Sequence, residues 1–102
     1  MVHVETTRIG QQTVVVVRGE VDLASADQLQ SAIARYSGQV LTVDLRGVDF
    51  IDSTGLAVLI KEHDRLGETG GELKLVVKDK GPVSRILELT GLIESFPISN
   101  TL

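Results

Sequence analysis

Apolar residues recur along this chain with two different spacings, and the two spacings alternate. Short runs that are continuously apolar, or apolar at every second position, predict strands, whereas apolar residues at i, i+3, i+4 and i+7 predict helices. The strand-like runs are residues 2–8, 13–18, 40–45, 73–77 and 96–98. The helical spacing begins near Ser25, near Ser53 and near Pro82. Strand and helix therefore alternate from Thr13 onward.

The connections between these runs predict how the strands are arranged. Residues 2–8 and 13–18 are separated only by a turn at Gly10-Gln11-Gln12, which predicts an antiparallel hairpin with the valine-rich strand more buried. The later strands are joined through helices, and such crossovers join parallel strands with a right-handed sense. We expect an α/β domain with a mostly parallel sheet of four to five strands. The pattern alone leaves open whether the helices cover one face or both.

Residues at the predicted helix ends have the preferences of helix caps. Ser25 to Gln28 have the spacing of a capping box. Ser37-Gly38 is expected to end the first helix. Pro82 suits the first position of the third helix, and Gly91 suits its C-terminal cap.

The corner Asp52-Ser53-Thr54-Gly55 carries the most informative polar residues of the chain. It follows the apolar run from Val43 to Ile51, which is a predicted strand and its exit, and it precedes a helical stripe that continues to about Leu66. Asp, Ser and Thr accept hydrogen bonds from the free N–H groups of a first helical turn, where the helix dipole is positive. A phosphate on Ser53 would find N–H donors and a favourable field there. The alternative is that Ser53 is simply the N-cap of the helix.

Composition limits the classes of function. At 102 residues and 42% hydrophobic content, the chain is expected to form one domain over residues 1–102. It has no cysteine, which excludes disulfide, zinc–thiolate and thiol chemistry, and we predict no metal site. The net charge of −4 argues against a nucleic-acid partner. Neither a secretory leader pattern nor an apolar run of about 20 residues is present, so a cytoplasmic protein without membrane contact is expected.

Two enzymatic interpretations of the corner are disfavoured. A phosphate-accepting Asp52 would need acidic residues near the first buried strand to hold a divalent cation, and residues 13–19 offer none. A nucleophilic Ser53 would need a base within hydrogen-bond reach, whereas His63 is ten residues away on the same helix, roughly 15 Å. We expect His63 at the edge of the apolar stripe and no catalytic activity.

Three short motifs resemble one known family. Phe50-Ile51-Asp52-Ser53-Thr54-Gly55-Leu56 resembles the phosphorylated corner of the anti-sigma factor antagonists, which are single-domain members of the STAS family. Val17-Arg18-Gly19-Glu20-Val21-Asp22 is similar to the segment before that family's first helix, and Leu89-Thr90-Gly91-Leu92 is similar to its C-terminal motif. The motifs occur in the family's order and span nearly the whole chain.

The resemblance implies a fold and a function. The fold would be a mostly parallel sheet flanked by a hairpin, with helices on one face. The unphosphorylated protein would bind an anti-sigma factor and so release a sigma factor. That partner would be an ATPase with a histidine-kinase-like fold that phosphorylates Ser53, or alternatively Thr54, and a Ser/Thr phosphatase would reverse the reaction. ATP and Mg²⁺ would belong to the kinase, so the chain itself would carry no cofactor.

The resemblance also implies a partner-binding surface around the corner. Asp52 would hold the turn or contact the partner, and Gly55 would permit close approach. Ala57 and Val58 are expected to form an exposed apolar patch. The full predicted surface is Glu20, Asp22, Asp52, Ser53, Thr54, Gly55, Leu56, Ala57 and Val58. The alternatives are a STAS module that acts as a scaffold or ligand sensor without phosphorylation and, with less support, nucleotide binding by the domain itself.

Overall fold

A computed structural model describes residues 1–102 as five strands and three α-helices. In chain order the elements are β1 (Val2–Ile9), β2 (Gln12–Val21), α1 (Ala26–Ala34), β3 (Val40–Ile51), α2 (Ser53–Glu68), β4 (Glu72–Val76), α3 (Pro82–Thr90) and β5 (Ile98–Ser99). A short 3₁₀ helix, Leu92–Ser95, lies between α3 and β5. The three helices begin within one residue of their predicted starts. Even α2, the longest helix at 16 residues, is too short and too polar to cross a membrane.

The strands lie in the sheet in their order along the chain, β1-β2-β3-β4-β5. Strands β1 and β2 are antiparallel, and every other neighbouring pair is parallel. Because each crossover moves one strand in the same direction, right-handed connections place all three helices on one face. Buried residues from the sheet and from all three helices form a single core. The prediction of a mostly parallel sheet with an N-terminal hairpin and helices on one face is confirmed.

The hairpin and the core follow directly from the sequence pattern. Strands β1 and β2 are joined by the two-residue turn Gly10-Gln11, in which Gly10 has φ 61°, as a type II′ turn requires. Along β3, Val43 and Leu45 face the helices and are almost fully buried. Asp44 lies between them and faces the opposite side of the sheet because successive strand side chains alternate.

Two strands extend further than predicted. Residues 19–21, expected to leave the sheet, belong to β2, and β3 continues to Ile51 instead of ending at Leu45. The pairing of β2 with β3 shifts register after Val16 and again after Gly19, so β3 accommodates extra residues in bulges. The last strand is shorter than predicted, since Phe96 lies outside it with its ring in the core.

We expect the Asp44–Arg46 pair to make stability depend on acid pH. Burial by itself raises the pKa of Asp44, but hydrogen bonds and charge from Arg46, with the charge of Arg18, outweigh it and hold the pKa below the ordinary value of 3.8. The Arg46 Nε and Nη2 atoms each lie 2.9 Å from a carboxylate oxygen of Asp44. A depressed folded-state pKa contributes stability that is present above the unfolded value and lost as pH falls through the folded value. The free energy of unfolding, measured in urea, should therefore differ most between wild type and Asp44→Asn at neutral pH. The difference should shrink below pH 3.8.

The exposed Asp79 supplies the control for this measurement. Asp79→Asn removes the same charge without removing a comparable buried ion pair, so its effect should stay small across the series. If wild type and Asp44→Asn differed in free energy of unfolding by the same amount at every pH, the electrostatic origin of the effect would be contradicted.

Candidate functional site

The C-terminal ends of β2 and β3 lie side by side and define one edge of the domain. Val21 pairs with Ile51, and the Asp52 N–H donates to the Val21 carbonyl at 3.1 Å. The loop from β2 to α1 and the corner from β3 to α2 therefore emerge at the same edge. This brings Glu20 and Asp22 to the same edge as Ser53.

Asp52 is the N-cap of α2. Its Oδ1 atom accepts hydrogen bonds from the N–H groups of Thr54 at 2.9 Å and Gly55 at 3.1 Å. Its own carbonyl accepts the first helical hydrogen bond, from Leu56, at 3.0 Å. Asp52 thus holds the turn, one of its two predicted roles. The interpretation of Ser53 as the N-cap is wrong, because Ser53 is the first residue inside the helix.

The Ser53 side chain is exposed, and that of Thr54 is partly buried. The N–H groups of Thr54 and Gly55 are already bonded to Asp52. Two of the first-turn N–H donors expected to meet a phosphate on Ser53 are therefore already engaged. The positive end of the helix dipole remains at this position, but it already faces the carboxylate of Asp52.

The predicted apolar patch on α2 is only half present. Ala57 is exposed, but Val58 has only 8% of its surface accessible and belongs to the core. Leu56, also predicted as a binding residue, is 7% accessible. Val58 lies about 100° around the helix axis from Ala57 and turns toward the sheet, so only Ala57 of this pair faces outward.

The β2–α1 loop is held by side-chain hydrogen bonds. The Ser25 hydroxyl lies 2.8 Å from the Glu20 carbonyl and 3.0 Å from Asp22 Oδ1, and it accepts from the Asp22 N–H at 2.9 Å. Asp22 Oδ1 also accepts from the Ala24 N–H at 3.0 Å. The capping box predicted from Ser25 to Gln28 is wrong, because the hydroxyl turns back toward this loop. The loop backbone is therefore fixed, while the Glu20 side chain is exposed.

The model of the STAS domain family matches residues 3–102. This chain belongs to the STAS family. It is 33% identical over 91 residues to the anti-sigma F factor antagonist of Paenibacillus polymyxa, covering 83% of this chain and 77% of that protein. It is 35% identical over 88 residues to the anti-sigma-B factor antagonist of Listeria monocytogenes, covering 82% and 75% respectively. An anti-sigma factor antagonist structure from Mycobacterium paratuberculosis matches 100% of this chain and 88% of that chain, with a TM-score of 0.85 and 31% identity.

The STAS domain exposes three large apolar side chains near the candidate edge, which is the edge formed by the C-terminal ends of β2 and β3. These three were not identified as binding residues from the sequence. Leu23 in the β2–α1 loop is 80% accessible, Phe50 near the end of β3 is 50% accessible and Leu89 on α3 is 73% accessible. Phe50 and Leu89 line one shallow groove of about 260 Å³ between β3 and α3. The available signal was alternation: with Ile51 facing the core, its neighbour Phe50 has to face outward.

His63 packs within this STAS domain as predicted from its place beside the apolar stripe. Its ring meets Phe96 edge-on, with the centroids 4.9 Å apart. The side chain is partly buried, and its nearest carboxylate is Asp64, at 3.5 Å. His63 thus serves the packing of α2 against the segment that precedes β5.

We expect Gly55→Ala to destabilise the domain, because α2 touches the sheet at this point. A Cβ atom on Gly55 would lie 2.7 Å from Ile51 Cγ1 and 2.8 Å from Val21 Cγ1. Both neighbours are buried and β-branched, so relieving the overlap should cost about 1–3 kcal/mol. The matched control is Gly67→Ala in the same helix, where a Cβ would meet nothing within 4 Å. That change should leave stability unchanged or raise it by about 0.4–1 kcal/mol. Equal effects of the two substitutions in urea unfolding would contradict this account.

Proposed function

We propose that this STAS domain is an anti-sigma factor antagonist that is switched by phosphorylation of Ser53. The observation that carries the proposal is the exposed hydroxyl of Ser53 on the first residue of α2, at the edge shared with the β2–α1 loop. The names of the relatives in Paenibacillus polymyxa and Listeria monocytogenes support the same class of partner. Unmodified, the domain binds an anti-sigma factor in the cytoplasm and frees the sigma factor for transcription.

The partner in this proposal is an ATPase of histidine-kinase-like fold that also acts as a Ser kinase. The Ser53 oxygen attacks the γ-phosphorus of ATP, an O–P bond forms, the bond to the β-phosphate oxygen breaks and ADP leaves. The hydroxyl proton passes to a base of the kinase. A Ser/Thr phosphatase hydrolyses the phosphoester and restores the binding-competent form. The domain acts as substrate and ligand, not as a catalyst.

The proposed interface combines exposed and partly exposed polar residues at the edge that carries Ser53 with apolar side chains near that edge. The polar members are Glu20, Asp22, Ser53 and Thr54, and Asp52 acts by holding the turn. Leu23, Phe50 and Leu89 add apolar surface to this interface. Removing that surface from water stabilises the complex by about 25 cal/mol per Å². Ala57 lies one turn beyond Ser53 and supplies a small surface over which a partner can approach. The buried Leu56 and Val58 support this surface from below.

The acidic side chains favour a partner surface with basic residues. Glu20 and Asp22 lie at the same edge as Ser53, and the chain as a whole has a net charge of −4. Complementary charge at the rim of an interface raises the association rate and selects the partner more than it raises affinity. A phosphate on Ser53 adds negative charge at the centre of this interface, where the partner is matched to a small hydroxyl.

A capture experiment from lysate of the native host tests the proposal. Wild-type protein should capture an ATPase of the anti-sigma class, and a Ser53→Asp bait should not. Ser37→Asp serves as the control, because Ser37 is exposed in the α1–β3 loop at the opposite end of β3. Equal capture of that ATPase by all three baits would reject switching at Ser53 and favour a scaffold module. Failure of every bait to bind an anti-sigma factor would reject the proposed partner.

A further inference from the structure

The outer edge of β1 has unpaired backbone groups. The closing pair of the hairpin, Ile9 with Gln12, sets the alternation of hydrogen bonds along the two strands. Odd-numbered residues of β1 bond to β2, so Val4, Thr6 and Arg8 direct their N–H and C=O groups away from the sheet. Strand β1 has eight residues, contains no proline and pairs with β2 without a bulge. Edges of this length are normally covered or interrupted, because they can pair with another strand.

Helix α1 forms a wall beside this edge. A groove of about 600 Å³ lies between them, and its lining includes Val4 and Thr6 from β1 with Asp27 and Ser31 from α1 and Arg35 at the C-cap of α1. The helix returns from the end of β2 to the start of β3, so it runs opposite to β2 and in the same general direction as β1. The edge and the helix therefore form one continuous surface.

This surface is complementary to itself. A two-fold axis through Thr6, perpendicular to the sheet, places Thr6 opposite Thr6 and Val4 opposite Arg8 in an antiparallel pair of β1 strands. The outward backbone groups of the two strands then bond to each other. A register shifted to place Glu5 opposite Glu5 would bring like charges together, which is destabilising.

The charges on α1 fit the same axis. Asp27 and Arg35 are eight residues apart, about 12 Å along a helix, and Ser31 lies midway between them. The span from Val4 to Arg8 in the strand is about 13 Å, so the two elements match in length. In the symmetric pair the two α1 helices are antiparallel neighbours. Asp27 of each copy then lies opposite Arg35 of the other, with the small Ser31 at the centre.

We infer that this side of the domain is a self-association surface, and that its occupant is a second copy of the same chain. The β1 strands join into one ten-stranded sheet, with the helices of both copies on one face. Because the contact is isologous it closes at two copies and leaves no β1 edge exposed. The contact uses the outer side of β1, whereas Ser53 lies at the C-terminal ends of β2 and β3. Ser53 therefore stays accessible in the dimer. This inference does not depend on the proposed function.

Paired charge variants test the inference by sedimentation of the full chain from low micromolar to near-millimolar concentration. Wild type should show a concentration-dependent equilibrium between monomer and dimer. Asp27→Arg and Arg35→Glu should each weaken the dimer by about tenfold, because both symmetric contacts become repulsive. An equimolar mixture of these two variants should restore association, since each of its two contacts joins a positive to a negative side chain. The substituted residues are exposed, so both variants should fold normally.

A backbone variant tests the strand pairing separately. Thr6→Pro removes an N–H that points away from β2, so the hairpin should remain intact while the dimer is lost. A protein that stays monomeric at every concentration would overturn the inference. So would a dimer that is insensitive to Thr6→Pro, or single charge variants whose mixture does not associate better than either alone. Capture of an extended peptide on β1 in place of a second copy would also overturn it.

Discussion

Phosphorylation of Ser53 is expected to weaken binding to the anti-sigma partner by about a hundredfold or more, while the melting temperature of the free domain changes little. The modification places a charge of about −1.5 to −2 on a side chain that is exposed in the free protein and covered in the proposed complex. An uncompensated buried charge costs several kcal/mol, and each 1.4 kcal/mol corresponds to about tenfold in affinity. The phosphate therefore destabilises the complex and not the free domain.

The geometry of the corner explains why the free domain should tolerate the phosphate. The helix dipole favours negative charge at this end by about 0.3–1 kcal/mol. Against this, Asp52 already occupies two of the first N–H groups and repels the new charge. Both effects act on an exposed side chain and are screened by solvent. They largely cancel.

Melting and affinity should be measured on the same phosphorylated and unmodified samples. Asp52→Asn is the matched control, since asparagine caps helices about as well as aspartate but carries no charge. In that background the phosphate should not lower the melting temperature at all. A phosphorylated wild-type domain that melts far below the unmodified form would mean that the switch works by unfolding the corner, contrary to the interface mechanism.

The order of strands and helices could be predicted because each element carries its own periodic signal. The four consecutive valines of β2 and the spaced apolar residues of α2 indicate which segments are buried, and short right-handed crossovers then allow few arrangements of the strands. The longer ends of β2 and β3 could not be read locally. A glycine such as Gly19 often marks the end of a strand. In this sheet the strand continues past it, because a shift of register keeps Val21 paired with Ile51.

The details of the site depended on contacts between elements. Asp52, Ser53 and Thr54 are all residue types suited to an N-cap, and local preference does not choose among them. The choice follows from where β3 ends, since the Asp52 N–H bonds to Val21 across the sheet. Ser25 likewise forms its bonds to the loop before it, and not to its own helix.

A partly buried ion pair within α2, between Glu62 and Arg65, shows the same limit. Glu62 is only 1% accessible, and it accepts a hydrogen bond from Arg65 at 3.0 Å. Arg65 also donates to the carbonyls of Ile33 at 3.2 Å and Tyr36 at 2.8 Å, which joins α2 to the C-terminal end of α1. In the sequence, Glu62 and Arg65 are an ordinary charged pair three residues apart on a helix. Only the packing of the two helices makes them a structural link.

Ser53→Ala should abolish phosphorylation by the cognate kinase and leave the fold unchanged. The Ser53 side chain is exposed and the capping hydrogen bonds belong to Asp52, so the substitution removes the acceptor without removing a cap. Its effect on the free energy of unfolding should stay within about 0.5 kcal/mol, as for other exposed positions. Intact-mass measurement after incubation with kinase and ATP should show one added phosphate on wild type and none on the variant.

Two further substitutions separate the acceptor from its surroundings. Ser37→Ala removes an exposed hydroxyl at the opposite end of β3 and should be labelled like wild type. Thr54→Ala should also be labelled, because the Thr54 side chain is partly buried and less accessible to a kinase than that of Ser53. Labelling that survives in Ser53→Ala and disappears in Thr54→Ala would move the site by one residue. Because Thr54 is itself a polar member of the proposed interface, that result would move the acceptor about 100° further around the helix while keeping the partner at the same edge.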